Sequence, residues 1–295
     1  MKAKLYDKIA TVYFYLVAGF LVAFLLSLIG YILYQGRTRL TWSFLTSPPK
    51  FMEVGGGIGP QLFNSIELLI ITLIISVPIG IGAGVYMSEY ARPNLFTEII
   101  RLSVETLSSM PSIVVGLFGL LVFVTMTGWG YSLMAGALAL TVLNLPVMTR
   151  VSEDAIKSVP NSLREASFAL GATKWQTITK VVVPAALPGI LTGIILTAGR
   201  IFGEAAALLY TAGMSSPALN FSNFNPKSPT SPLNLFRPAE TLAVYIWKVN
   251  SEGLAPDARQ IADGASAVLL LAVLIFNLFA RWLGGVVHRR MTGER

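Results

Sequence analysis

Glu165-Ala166-Ser167-Phe168-Ala169-Leu170-Gly171-Ala172-Thr173-Lys174-Trp175-Gln176-Thr177-Ile178-Thr179-Lys180-Val181-Val182-Val183-Pro184 is a polar break between two long apolar runs. Lys174 and Lys180 within it, and Lys157 and Arg164 just before it, make the region basic. Ser162-x-x-Glu165 and Thr173-x-x-Gln176 each have the form of a capping box, in which a hydroxyl and a Glu or Gln side chain satisfy helix amides reciprocally. Gly171 is placed to stop the first helix, and Pro184 marks the return towards the membrane. The spacing predicts a short helix-turn-helix at a membrane face, suited to receiving a push from another protein. Glu165 read alone is equally a capping side chain.

The segments around it set the solvent. The chain has 295 residues, 54% apolar and only 13% charged, with a mean hydropathy of +0.67. Soluble domains carry roughly 25% charged residues, so this composition belongs to hydrocarbon. A helix needs about 20 apolar residues to cross a bilayer. Six runs approach that length: Val12–Leu33, Ile66–Tyr86, Ser112–Met126, Ser132–Val147, Leu187–Tyr210 and Ala265–Leu283. Pro111 and Pro146 bound the two short ones. Open sheets leave edge amides unpaired in lipid, and the runs do not alternate as barrel strands do. An all-α polytopic membrane protein of six spans follows.

The net charge of +7 is an orientation signal rather than a nucleic-acid footprint. With the amino terminus inside, Lys2, Lys4, Lys8, Arg92, Arg101, the loop cations and the Arg281–Arg295 tail fall on the cytoplasmic side. That is the asymmetry expected of topology, and it places both termini in the cytoplasm of a multi-pass cell-membrane protein. The chain divides into a first span with its outer segment (1–65), a core of five spans (66–286) and a basic tail (287–295). The core holds the loop 151–184 and an outer segment 211–264.

Several chemistries are excluded. There is no cysteine, so thiol catalysis, disulfides and cysteine-held metals are absent. The single histidine, His288, stands in the basic tail. Neither metal-ligand spacing nor a nucleophile–base constellation occurs in the spans, so no catalytic or metal-binding residue is expected. Gly55-Gly56-Gly57-Ile58-Gly59-Pro60 is not followed by Lys-Ser/Thr and reads as a flexible entry to the second span. With no phosphate-binding loop, ATP-driven work needs a separate ATPase. Gly80/Gly84, Gly189/Gly193 and Gly199/Gly203 are spaced for close helix packing. In the outer segment, the Pro- and Asn-rich first half lacks helical periodicity. Leu242 to Val249 repeats apolar residues at helical spacing, with Tyr245 and Trp247 suited to a headgroup region.

Arg200 and Glu204, in the fifth run, are the residues in which mechanism is expected. From Leu187, Arg200 lies roughly 20 Å along a helix, past the middle of a core about 30 Å thick. A mid-span arginine costs about 2.5 to more than 10 kcal/mol, which disfavours a lipid-facing position. A spacing of four puts Arg200 and Glu204 on one helix face, where they can pair. They can stitch helices together, or line the path of an anion whose oxygens match the guanidinium fork. Glu67, near the outer end of the second run, is a weaker candidate.

The opening stretch resembles the EAA loop of ABC importer permeases, EAA-x3-G-x9-I-x-LP. Glu165, Ala166, Gly171 and Pro184 match it, while Ser167, Val181 and Val183 are conservative departures. The resemblance implies the type I importer permease fold, with Glu165, Ala166, Ser167 and Gly171 in a coupling helix that fits the ATPase. From about residue 56 onward the chain also resembles phosphate-specific permeases of the PstA type. The matching segments are Met110-Pro111-Ser112-Ile113-Val114-Val115-Gly116-Leu117-Phe118-Gly119, Asn144-Leu145-Pro146 leading to Arg150, Arg200-x-x-Gly203-Glu204, and Gly56-Gly57-Ile58-Gly59-Pro60.

That resemblance implies inorganic phosphate as cargo and translocation roles for Arg200 and Glu204. It also implies a second permease subunit, two cytoplasmic ATPase subunits and an extracytoplasmic phosphate-binding protein, with no cofactor held by this chain. The same architecture serves other oxyanions such as sulfate, molybdate or phosphonate. A proton-coupled secondary anion transporter is a further alternative, though it leaves the Glu165 loop unexplained.

Overall fold

The computed structural model describes residues 2–50, 52–253 and 255–292, and its regular structure is helical throughout, apart from one isolated bridge between Pro49 and Gly56. The side chain of His288 and residues 293–295 of the basic tail lie outside what is described. Five helical stretches are long and apolar enough to cross a membrane, and a sharply bent pair brings the number to six.

The chain opens with α1 (Lys2–Gly36) and a small α2 (Trp42–Thr46), then enters α3 (Gly59–Val85), whose last turn widens into a π-helical segment, Tyr86–Tyr90. Next come α4 (Leu95–Ser108) and α5 (Ser112–Gly119), the latter continued by a π-helical segment to Met126. This is the third expected span, and the structure changes its form. It is joined to α4 at a bend of 100°. Pro111, which cannot continue a helix from the residue before it, sits at that corner. Leu95, Phe96, Ile99 and Leu102 are exposed apolar residues of α4, spaced as on one face of a helix lying along a membrane surface.

α6 (Leu133–Lys157) is longer than the expected Ser132–Val147, because its helix runs on through Pro146. α7 (Asn161–Ala169) and α8 (Lys174–Thr177) form the hairpin, and a π-helical turn, Ile178–Val182, leads from it into α9 (Val183–Gly203). A one-turn α10 (Ala206–Leu209), α11 (Leu242–Glu252) and α12 (Ala258–Thr292) complete the order.

Small residues set the packing register. A Cβ on Gly80 would stand 2.6 Å from Met148 Cβ, and one on Gly84 2.5 Å from Ser152 Cβ. Residue numbers rise together, so α3 and α6 run parallel with their backbones close. Gly189 meets Ala155 and Gly193 meets Val151, so α9 runs antiparallel to α6. The third glycine pair behaves differently: nothing lies within 4 Å of a Cβ built on Gly203. The parallel register sets Pro78 beside Pro146, so two neighbouring helices each lose a backbone hydrogen bond at one depth. Close to that level the Ser76 hydroxyl and Asn144 Oδ1, and one turn further on the Thr72 hydroxyl, are buried without a partner among the described residues.

Gly36 abuts Asp263 and Ala267, while Gly284 abuts Leu191. α1 and α9 therefore both run opposite to α12, and the two ends of the described chain lie at the end of the bundle that carries the hairpin. The opposite end holds the long segment between α10 and α12. α1 is peripheral, with none of its apolar window buried. The glycine-rich entry to α3 is packed rather than loose. Ile58 is fully buried and donates its amide to Phe44 O at 2.8 Å, and a Cβ on Gly57 would strike the carbonyl oxygens of Phe44 and Ser47 at 2.5 Å.

Candidate functional site

The fifth span does not reach Tyr210 as a continuous helix. α9 ends at Gly203, and Glu204 is extended, with φ −74° and ψ 127°. Carrying the α6–α9 register forward by about two turns sets Arg200 level with Asn144, and hence with Ser76 near the middle of α3. The break therefore lies at mid-depth, level with Thr72 of α3 and between one and two turns from the two prolines. Broken helices at this depth are tolerated only where protein or a water-filled cavity covers the freed backbone.

The Arg200–Glu204 pairing that a continuous helix would allow is not formed, because leaving the helix turns Glu204 away from the i, i+4 position. Glu204 instead accepts a hydrogen bond from the Ala207 amide at 3.3 Å, steadying α10. Arg200 is exposed in the last turn of α9, on a face shared with Thr192 and Leu196. No ion pair or hydrogen bond involves its side chain among the described residues. The guanidinium is thus presented at mid-span on the outside of the single chain, where hydrocarbon would cost about 2.5 to more than 10 kcal/mol. That face requires a polar cover.

The hairpin has the shape read from sequence, with one difference. Thr173 and Gln176 form a complete capping box at α8, and Gly171 reverses the chain at φ +82°, a conformation that favours glycine. Ser162 caps nothing: α7 starts earlier, after Pro160, which leaves Ser162 inside the first turn. Glu165 and Ala166 are exposed and Ser167 is buried, its hydroxyl 2.8 Å from that of Thr177. Leu163, Phe168, Leu170 and Trp175 are also exposed, Leu170 at 89%. A hairpin that exposes a carboxylate together with four large apolar side chains has the character of a contact surface.

Polar groups that sequence reading passed over crowd the opposite end. Arg237, in the long segment, is fully buried. It donates to Asn64 Oδ1 at 2.8 Å and to Glu67 Oε2 at 2.5 Å, which gives Glu67 a partner rather than open water. Burial lowers the Arg237 guanidinium from its ordinary range, and Glu67 opposes that shift. Glu240, also buried, accepts from Gln61 Nε2 at 2.9 Å and from Lys248 Nζ at 2.9 Å.

Nearby, Arg39 donates to Asp257 and the Gly55 amide does so at 3.0 Å. Burial works to raise the Asp257 carboxyl, but these partners outweigh it and hold it below its usual range. A cavity of about 250 Å³, lined by Lys50, Glu240, Tyr245, Lys248 and Glu252 among others, opens beside this network. Tyr245 is buried on α11, not turned to headgroups, and burial with Glu240 and Asp257 pushes its hydroxyl up to about 12. The signal for Arg237 was weak because it stands in an aperiodic loop, where only long-range contacts reveal burial.

Similarity to known proteins agrees with this architecture. Residues 76–293 match the family described as binding-protein-dependent transport system inner membrane component. The chain is 56% identical to the probable ABC transporter permease protein YqgI of Bacillus subtilis, over 100% of both chains. It is 35% identical to the phosphate transport system permease protein PstA of Yersinia pestis, covering 84% of this chain and 78% of that one. Among solved structures, a bacterial alginate ABC transporter, crystallised in complex with an alginate pentasaccharide-bound periplasmic protein, superposes with a TM-score of 0.57. That match has 19% identity and covers 88% of this chain and 92% of that one. The chain belongs to the binding-protein-dependent transport system inner membrane component family: it is a multi-pass ABC importer permease.

Proposed function

We propose that this chain is one of two permease subunits of an ATP-driven importer that carries inorganic phosphate into the cytoplasm. The observation that carries this reading is Arg200, an uncovered guanidinium beside a helix break at mid-span. A second permease facing α9 supplies the polar cover that Arg200 lacks in the single chain, and the phosphate path runs between the two. The resemblance to PstA-type permeases supports phosphate as the cargo. A multiply charged anion loses its water only where several donors replace it, so Arg200 works with cations of the sister subunit. Glu204 lies beside the path, able to accept the proton that hydrogen phosphate carries and sulfate lacks.

The hairpin faces the cytoplasm, and with it both termini. Glu165, Ala166 and the exposed apolar residues around them seat in a pair of ATPase subunits, while Ser167 and Gly171 hold the hairpin's shape. ATP binding there moves the hairpin and opens the path to an extracytoplasmic binding protein, which delivers phosphate at the Arg237 end. ATP acts on the partner, and this chain holds no cofactor.

Uptake of labelled phosphate into vesicles energised with internal ATP tests the reading. Cold phosphate should compete more strongly than sulfate, molybdate or phosphonate, and stronger inhibition by molybdate overturns the choice of cargo. Glu165→Lys should detach or uncouple the ATPase; normal pull-down and normal uptake in that variant remove the hairpin from the mechanism.

A further inference from the structure

Both helices of the hairpin grip one residue on a different helix. From α7, Arg164 reaches the Glu89 carboxylate with Nη2 at 2.7 Å and Nε at 3.1 Å. From α8, Lys174 donates to the backbone carbonyl of the same Glu89, and its Nζ lies 4.5 Å from the centre of the Tyr90 ring. The remaining donors of Arg164 hold the end of α6, at Val159 O (2.6 Å) and Ile156 O (3.0 Å). The Arg164 and Glu89 side chains are 15% and 12% exposed, so water screens the pair little.

Glu89 belongs to the π-helical turn that ends α3, closed by the Ala91 amide on Tyr86 O at 2.8 Å. Such turns add a residue to the helix and are frequent at functional sites. Chain continuity already links the hairpin to α6 and α9. Glu89 is the polar attachment that links it to α3, beside the apolar packing of Ile81 and Val85 on the cluster that holds Val159 and Val182.

We propose that Glu89, Arg164 and Lys174 are positioning residues that make α3 move as one body with the coupling hairpin. A displacement of the hairpin then drives α3 as well as the helices on either side of it in sequence. Because α3 packs parallel to α6 up to the Pro78–Pro146 level, the motion reaches the depth of Arg200 along two helices together. The inference rests on the ATP-driven reading, but its test has a readout that does not depend on the cargo.

The chain has no cysteine, so Gly82→Cys on α3 and Ser162→Cys on α7, both at exposed positions, accept two spin labels. These are placed in the complex that co-purifies with this chain, its other subunits made cysteine-free. With the native node, the label-to-label distance should stay the same in nucleotide-free and ATP-trapped complexes. With Glu89→Gln and Lys174→Met, it should broaden and shift on trapping, and labelled phosphate moved per ATP hydrolysed should fall about tenfold while the complex stays assembled. Glu89→Gln alone keeps the side chain's shape and an acceptor oxygen, and should show a smaller change of the same kind. A nucleotide-dependent distance in the native complex, or a constant one in the double variant, overturns the proposal. A double variant that fails to assemble also overturns it, since it assigns the node to folding alone. Absence of phosphate uptake by the native complex counts instead against the phosphate reading, and the label distances still decide the link.

Discussion

Arg237 and Arg200 are cations at different depths of one apolar bundle, and the fold treats them in opposite ways. Arg237 is fully buried, with Glu67 and Asn64 as partners. Arg200 is exposed and has no partner within the described chain. A charge that is buried and paired closes a structure; removing one member leaves the other stranded in a low dielectric. A charge held uncovered at mid-span contributes nothing to the folded chain by itself. Its cost is met only when another surface or an ion completes it, which is the condition expected of a site that works in turns.

The largest expected effect tests the first half of that contrast. Arg237→Leu strands Glu67 and should destabilise the chain by about 3–5 kcal/mol, seen as loss of folded protein in detergent melts. The double variant Arg237→Leu with Glu67→Leu should recover much of it, and equal losses in both would mean that the pair is not the source. Second comes Arg200→Gln, which should cut phosphate uptake at least about 100-fold while moving stability by no more than about 0.5 kcal/mol, as for substitutions away from packed features. A large fall in melting temperature there would erase the distinction between the two arginines.

The smallest effect concerns the rim of the Arg237 end. The Tyr245 hydroxyl is raised from 10.0 to about 12, so its neutral form is favoured in the folded chain. Its contribution is complete below pH 10 and is lost as pH rises towards about 12, a decline of at most about 2–3 kcal/mol. Tyr245→Phe should flatten the melting profile across that window, and an unchanged profile would mean that Tyr245 is not held neutral by its surroundings.

The hairpin shows how far local chemistry reaches. Thr173, Gln176 and Gly171 act through neighbours three residues away or fewer, so cap and turn were legible from spacing. Ser162 has the same spacing relative to Glu165 and caps nothing, because Pro160 starts the helix early and moves Ser162 out of the capping position. Arg200 and Glu204 stand out in the sequence as charged residues within an apolar run. Their shared helix face was an expectation that fails, since residues four apart lie on one face only if the helix continues, and it ends at Gly203. The bend at Pro111 went unseen for a similar reason: Leu95–Ser108 is too amphipathic to be read as a span, and only its junction with α5 shows that the two form one bent unit.

The residues alone determined that the chain is a helical bundle in a membrane, roughly where its spans lie, and that a basic hairpin interrupts them. Those properties follow from hydropathy, periodicity and capping, all of which act over a few residues. Only the tertiary structure decided that α9 breaks at mid-depth, that Arg237 is sealed against Glu67, and that Arg164 and Lys174 meet on Glu89. Each depends on groups 75 or more positions apart, or on whether backbone hydrogen bonding continues past a given residue. Helix register and close backbone packing settle such matters, and neither is written in any short stretch of the chain.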